Sequence, residues 1–168
     1  MASILNVDQI GHSTSGTTAL EINSSGQVTL PAVPYIRMES VGTVSVTNTG
    51  VATVPFNNVI ASRGVTLTTS TYKFQVPVTG LYHFSGAVRW DRASSYLWWR
   101  VDDGNSVAVQ DSALVLNNGN SGSFTTSTGS FLCPLTASTD YLISFGDGVS
   151  TTATINQSQT FMGIHLVG

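Results

Sequence analysis

Charge is what this chain has least of. Its 168 residues include six Lys or Arg and nine Asp or Glu, 9% in all, where an ordinary soluble chain carries about 25%. The cations, Arg37, Arg63, Lys73, Arg89, Arg92 and Arg100, are scattered. No basic cluster exists to neutralise a phosphate backbone, so no nucleic-acid partner is expected. A monomer relies on charged surface to stay soluble. Few charges and a slightly positive mean hydropathy therefore predict that part of the surface is buried by other subunits, since obligate interfaces are the more hydrophobic ones. Cysteine is equally scarce. Cys133 stands alone, which rules out an intrachain disulfide and gives no argument for an oxidising compartment. It lies in the apolar strand pattern Ser130-Phe131-Leu132-Cys133-Pro134 with no base beside it, and reads as a small buried hydrophobe. No apolar run reaches the length of a membrane span. Met1 to Asn6 lacks the basic and apolar parts of a signal peptide, so the expectation is synthesis in a cytoplasm and assembly from there.

The signatures of catalysis are missing too. His12, His83 and His165 are far apart and show no metal-ligand spacing. Serine is abundant, but no Gly-x-Ser-x-Gly elbow occurs. The Gly-rich stretch Asn117-Asn118-Gly119-Asn120-Ser121-Gly122 lacks the Lys of a phosphate-binding loop and reads as a surface loop. The expectation is a protein that is not an enzyme, with no catalytic residues, no cofactor and no metal motif.

What the chain does have is Ser and Thr, about a quarter of all residues, with many other β-branched residues and 16 Gly. That composition favours strands separated by turns, and no segment keeps a helical period. The length fits one domain plus an appendage. The appendage is residues 1–34. Ile4, Leu5, Val7 and Ile10 form a small apolar cluster, followed by a polar stretch from Gly11 to Thr18. Leu20 and Ile22, then Val28 and Leu30, alternate with polar residues around Ser24-Ser25-Gly26, the pattern of a short hairpin. A lone hairpin is not stable in water, so this arm is expected to dock elsewhere. Pro31 and Pro34 cannot donate to a ladder and mark the junction with the head, residues 35–168.

The head reads as a β-sandwich. Strand patterns run through Val41–Val54 (with a turn at Asn48-Thr49-Gly50), Lys73–Val78, Leu81–Trp90, Tyr96–Asp102, Ser106–Gln110, Ala113–Leu116, Ser123–Leu132, Tyr141–Phe145 and Thr160–Val167. Asp103-Gly104 is a hairpin turn signal between two of them.

One order of motifs stands out. Tyr72-Lys73-Phe74-Gln75-Val76-Pro77-Val78-Thr79-Gly80-Leu81-Tyr82-His83-Phe84-Ser85 follows Val54-Pro55-Phe56-Asn57-Asn58-Val59, and the chain closes on Thr160-Phe161-Met162-Gly163-Ile164-His165-Leu166. This order resembles the globular head of complement component one-q and the wider tumour-necrosis-factor-like jelly rolls. The resemblance covers about two-thirds of the chain. It implies a jelly-roll sandwich that forms tight homotrimers and acts as a binding or structural head. It also implies that Phe74, Tyr82, Phe84 and Phe161 are core or trimer-axis residues. No collagen-like stalk is present. Some relatives hold calcium near the axis, and Asp102, Asp103 and Asp147 are the acidic loop residues to try for that role, although Asp-Gly pairs are ordinarily turns and calcium needs six or more oxygens. The arm, from Ser3-Ile4-Leu5-Asn6-Val7-Asp8-Gln9-Ile10 to Leu30-Pro31, resembles N-terminal segments of bacteriophage virion proteins, especially those of cyanobacterial phages.

Trp98 and Trp99 are adjacent, so on a strand they face opposite ways. One is expected in the core. The other is expected in the trimer interface or as a stacking platform for a host sugar. Together these features point to a trimeric virion surface protein, anchored through Ile4, Leu5, Val7, Ile10, Leu20, Ile22, Val28 and Leu30. The absence of a long shaft favours a capsid decoration (cement) protein over a small tail-fibre knob. The competing class is a soluble lectin-like trimer.

Overall fold

The computed structural model describes residues 9–11, 18–22, 24–29, 33–42, 44–48, 51–90, 98–109, 125–146, 151–155 and 159–168. They fall into two compact units, Met1–Val33 and Pro34–Gly168.

In the first unit, β1 (Gln9–Gly11), β2 (Thr18–Ile22) and β3 (Val28–Thr29) form an antiparallel sheet in the order β1-β2-β3. Gly26 in the β2–β3 connection has φ of 75°, a conformation glycine adopts without steric cost. Ile22 pairs with Val28 across the hairpin, and both side chains are exposed. Ile10 and Leu20 are register partners. Ile4, Leu5, Val7 and Leu30 lie outside the described residues.

The second unit contains β4 (Tyr35–Glu39), β5 (Val44–Asn48), β6 (Ala52–Thr53), β7 (Asn58–Arg63), β8 (Thr66–Thr68), β9 (Lys73–Gln75), β10 (Gly80–Trp90), β11 (Trp98–Asp103), β12 (Thr125–Leu135), β13 (Tyr141–Gly146), β14 (Thr151–Ile155) and β15 (Phe161–Leu166). A seven-stranded sheet runs β5-β14-β10-β15-β4-β7, with β12 pairing the other side of β10. A five-stranded sheet runs β11-β13-β9-β8, with β6 also pairing β13. Every pairing between these strands is antiparallel.

Strand β10 shows why the two sheets stack. Tyr82, Phe84, Val88 and Trp90 are fully buried, while Leu81, His83, Ser85 and Arg89 point the other way. The buried set meets the five-stranded sheet through aromatic pairs: Phe74 with Phe84 at 6.1 Å, Trp90 with Phe145 at 4.8 Å, and Phe131 of β12 with Trp99 at 4.9 Å. Burying each such side chain stabilises by about 1.5–3 kcal/mol. Pro134 sits within β12, which pairs only with β10 among the described residues. A proline is tolerated there because one side of an edge strand needs no donor.

Several expectations shift. The Val41–Val54 segment does not stay in one sheet, because β5 pairs β14 whereas β6 pairs β13. The Asp103-Gly104 turn is present, but of Ser106–Gln110 the described residues contribute one isolated bridge, Asp102 with Ala108, rather than a strand. Asp103 organises the turn: its Oδ1 accepts from the backbone amides of Asn105 and Val107, each at 2.9 Å, alongside the cross-strand backbone bonds Asp103 N to Val107 O and Val109 N to Val101 O. Ala113–Leu116 lies outside the described residues. Strands β4, β7, β8 and β14 carry too few alternating apolar residues to announce themselves; in β7 all but the first residue are exposed.

Candidate functional site

The outward side of the seven-stranded sheet is the most unusual surface of the head. Antiparallel sheets with one solvated face ordinarily place polar residues on it. Here register stacks three rows across β12, β10, β15 and β4. The first is Leu132, His83, His165 and Tyr35; the second is Ser130, Ser85, Gly163 and Arg37; the third is Thr128, Ala87, Phe161 and Glu39. Leu132 is 49% exposed, Phe161 42% and Leu81, on the same face of β10, 36%. The middle row is small except for Arg37, and a concavity of about 550 Å³ opens along Tyr35, Arg37, Ser85, Phe161, Gly163 and His165. A ring row bounds one side of it and Phe161 the other.

Two glycines on the adjacent strands have different causes. A Cβ on Gly86 would lie 2.3 Å from the Phe161 carbonyl oxygen and 3.0 Å from Met162 Cα, so packing of β10 on β15 requires glycine there. A Cβ on Gly163 would meet only Ser85, its Oγ at 3.5 Å and its carbonyl oxygen at 3.6 Å, which is ordinary contact. Packing does not require Gly163; its bareness keeps the concavity open.

Three of the four side chains of the first row, His83, His165 and Tyr35, are rings. His83 and His165 meet edge to face with centroids 5.0 Å apart, and the Arg63 guanidinium lies 5.7 Å from the Tyr35 ring. Glu39 Oε1 accepts from Asn58 Nδ2 at 2.8 Å. The histidines are far apart in sequence, and alternation alone only sets them outward. Their meeting depends on β10 pairing with β15, which no local pattern announces.

The outward side of the five-stranded sheet is different. Thr66, Thr68, Lys73 and Gln75 occupy β8 and β9 there. Gln75 Nε2 donates to Asp140 Oδ1 at 2.7 Å, and Lys73 Nζ lies 3.9 Å from Asp140 Oδ2. On β11, Trp98 is half-buried with the Arg100 guanidinium 5.2 Å from its ring, and Arg100 Nε donates to the fully buried Asp102 at 2.6 Å. Trp99 points into the core and is completely buried. The sugar platform imagined for Trp98 and Trp99 therefore narrows to Trp98, because strand alternation commits its neighbour to the interior.

Of the other residues singled out in sequence, Phe74, Tyr82 and Phe84 are core side chains and Phe161 is on the open face. The Tyr82 hydroxyl donates to the Val78 carbonyl at 2.8 Å. Burial raises its pKa above the ordinary phenol value, with the Val78 hydrogen bond acting in the opposite sense. Burial also pushes the Cys133 thiol up to about 11, which keeps it protonated and unreactive near neutrality. Asp102 is engaged by Arg100 and Asp103 by its own turn; Asp147 and His12 lie outside the described residues. Among the described residues no three His, Cys, Asp or Glu side chains gather in a metal-holding group.

No protein-family model matches the sequence, and no curated protein is similar to it. Solved structures are similar. Murine APRIL superposes with a TM-score of 0.59 at 12% identity, over 80% of this chain and 99% of that one. The globular domain of zebrafish complement 1qA gives 0.57 at 13%, over 80% and 98%. The Eiger TNF of S. frugiperda gives 0.52 at 11%, over 82% and 94%. At these identities the likeness speaks for architecture, and with the two antiparallel sheets it identifies the head as a jelly-roll β-sandwich.

Proposed function

We propose that this chain is a non-enzymatic structural protein of a virion, in which three heads associate through the outward face of the seven-stranded sheet and residues 1–34 fix the trimer to the particle. The observation that carries the trimer is the exposed apolar face itself, with Phe161, Leu132 and Leu81 open beside a concavity whose floor is glycine and serine. Exposed apolar patches mark interaction sites. Arg37 and Glu39 add one charge of each sign to this face, which suits a surface that meets copies of itself. The count of three comes from the resemblance to complement-one-q and tumour-necrosis-factor heads. Light scattering on the full chain at micromolar concentration tests it, with a trimeric mass expected; a stable monomer would sink the proposal.

The particle role rests on the arm. Its exposed Ile22–Val28 pair offers apolar side chains on a sheet small enough to gain from adding strands to a partner. Three linked arms raise attachment through effective concentration. A capsid decoration role is the favoured reading, with a small tail-fibre knob as its alternative. Deleting residues 1–34 should leave a folded trimer that no longer joins particles, and unchanged incorporation argues against an anchoring arm. A virion density map distinguishes capsid from tail. A soluble glycan-binding trimer is the second reading, favoured by Trp98 beside Arg100; a glycan-array signal abolished by Trp98→Ala would support it.

A further inference from the structure

The paired histidines have no role in the assembly described so far. We propose that His83 and His165 form a cross-strand site for a divalent transition metal of the zinc or nickel class. The two residues are direct register partners on β10 and β15, with ring centroids 5.0 Å apart. That separation fits a shared ion. A metal–nitrogen bond of about 2.0–2.1 Å places each ring centroid about 3.2 Å from the metal; two such rings lie about 5.2 Å apart at a tetrahedral angle and about 4.5 Å apart at a right angle. The observed distance falls between these values. The edge-to-face orientation, at 65° between planes, is not an obstacle. The χ2 torsion of histidine is broad, and turning it leaves the ring centroid nearly in place while swinging a nitrogen toward its neighbour.

The donor set selects the ion. Two imidazoles suit zinc, copper and nickel, whereas calcium and magnesium need oxygens. Leu132 and Tyr35 complete the row on either side, so no carboxylate competes within it. Arg37 lies on the same face, one row away, and its charge opposes a tightly held cation. A single chain supplies two ligands, and the remaining positions fall to water or to the same pair on another copy across the open face. The site stands without the trimer reading, but occupation in a trimer would link metal binding to assembly.

Calorimetric titration of the full chain with Ni²⁺ and with Zn²⁺ tests the site. Binding is expected in the wild type, weakened by more than about tenfold in His83→Gln and in His165→Gln, a loss that even an outer-shell partner's removal produces. His165 is exposed, so its variant keeps the fold, as circular dichroism would check. His12→Gln is the control and should bind like the wild type. Absence of binding, binding that survives both head variants, or binding lost in His12→Gln each overturns the site. Light scattering on the same samples separates the two proposals: a monomer that binds metal removes the trimer and keeps the site, and a trimer that binds none does the reverse.

Discussion

The outward faces of the two head sheets obey the same alternation and carry different cargo. On the five-stranded sheet, the outward positions of β8 and β9 are Thr, Lys and Gln, and Lys73 and Gln75 meet Asp140. On the seven-stranded sheet, the outward positions include Phe161, Leu132 and Leu81, all more than a third exposed. That face also carries Arg37 and Glu39, so the contrast lies in its large exposed apolar side chains rather than in a lack of charge. A solvated face can satisfy its groups with water. An apolar face gains about 25 cal/mol for each Å² it removes from water. In the proposed trimer, solvent meets the first face and a second copy the other.

Reversing the character of the apolar face should have the largest effect. Phe161→Glu places three like charges into the shared surface of a trimer, where like-charge contact costs several kcal/mol. The expected result is complete dissociation, read as a monomeric mass by light scattering, with the circular dichroism spectrum retained because Phe161 is 42% exposed within one chain. A trimer that survives would mean the contact lies elsewhere.

The inward face gives the next largest effect. Phe84 stacks on Phe131 at 5.0 Å and tilts against Phe74 at 6.1 Å, with no exposed surface. Phe84→Ala should lower the unfolding free energy by about 3–5 kcal/mol in chemical denaturation. The two phenylalanines lie on adjacent strands, and the comparison predicts opposite signatures: one variant dissociates without unfolding, the other loses stability in the isolated head.

How much of this was legible in the sequence depends on the kind of feature. Alternation in Leu81-Tyr82-His83-Phe84-Ser85 sets Tyr82 and Phe84 on one face and His83 on the other, and the structure places the first two inside and the histidine outside. The order of the Phe74, Tyr82, Phe84 and Phe161 motifs carried the jelly-roll architecture. Strand partnership was not legible, because pairing β10 with β15 is decided by the whole sandwich. For that reason the His83–His165 contact and the Ser85–Gly163 floor of the concavity were invisible, although each residue was in plain view. Strands β4 and β7 were missed for a related cause. β4 buries two apolar side chains, Ile36 and Met38, and β7 lies at the end of the sheet with most of its residues in solvent. Short and edge strands take their conformation from neighbours more than from their own pattern.

A finer contrast lies in the two glycines. Gly86→Ala should destabilise the head by about 1–3 kcal/mol through overpacking, since the added methyl would meet the Phe161 carbonyl at 2.3 Å. Gly163→Ala adds the same methyl at an ordinary distance from Ser85, so thermal unfolding of the isolated head should barely move. Its effect should appear in the mass distribution on dilution, because it fills the floor of the shared concavity. Equal loss of stability in both variants would remove the distinction between a packing glycine and a surface one.

Cys133 and Leu132 are consecutive on β12 and face opposite ways, one fully buried and one 49% exposed. With its pKa pushed from 9.0 up to about 11 by desolvation, the thiol favours the folded state in its neutral form. That contribution is fully present below about pH 9 and is lost as the pH rises through about 11. Thiol-reagent labelling near pH 8 should be slow in the native protein and rapid in denaturant. Fast native labelling would mean that β12 does not hold its inward side closed.

The polar face should yield the smallest change. Lys73 and Asp140 are 3.9 Å apart, with side chains 30% and 46% exposed, and half-exposed pairs of this kind are worth about 0–1 kcal/mol. Lys73→Met removes the charge and keeps much of the aliphatic stem, while Gln75 still donates to Asp140. Denaturation midpoints should therefore shift by no more than about 0.5 kcal/mol in free energy, the usual range for surface substitutions, and the mass by light scattering should not change at all. The second result matters more than the first. A head that lost its assembly when Lys73 was replaced would place subunit contact on the five-stranded sheet, against the assignment that the exposed Phe161, Leu132 and Leu81 make.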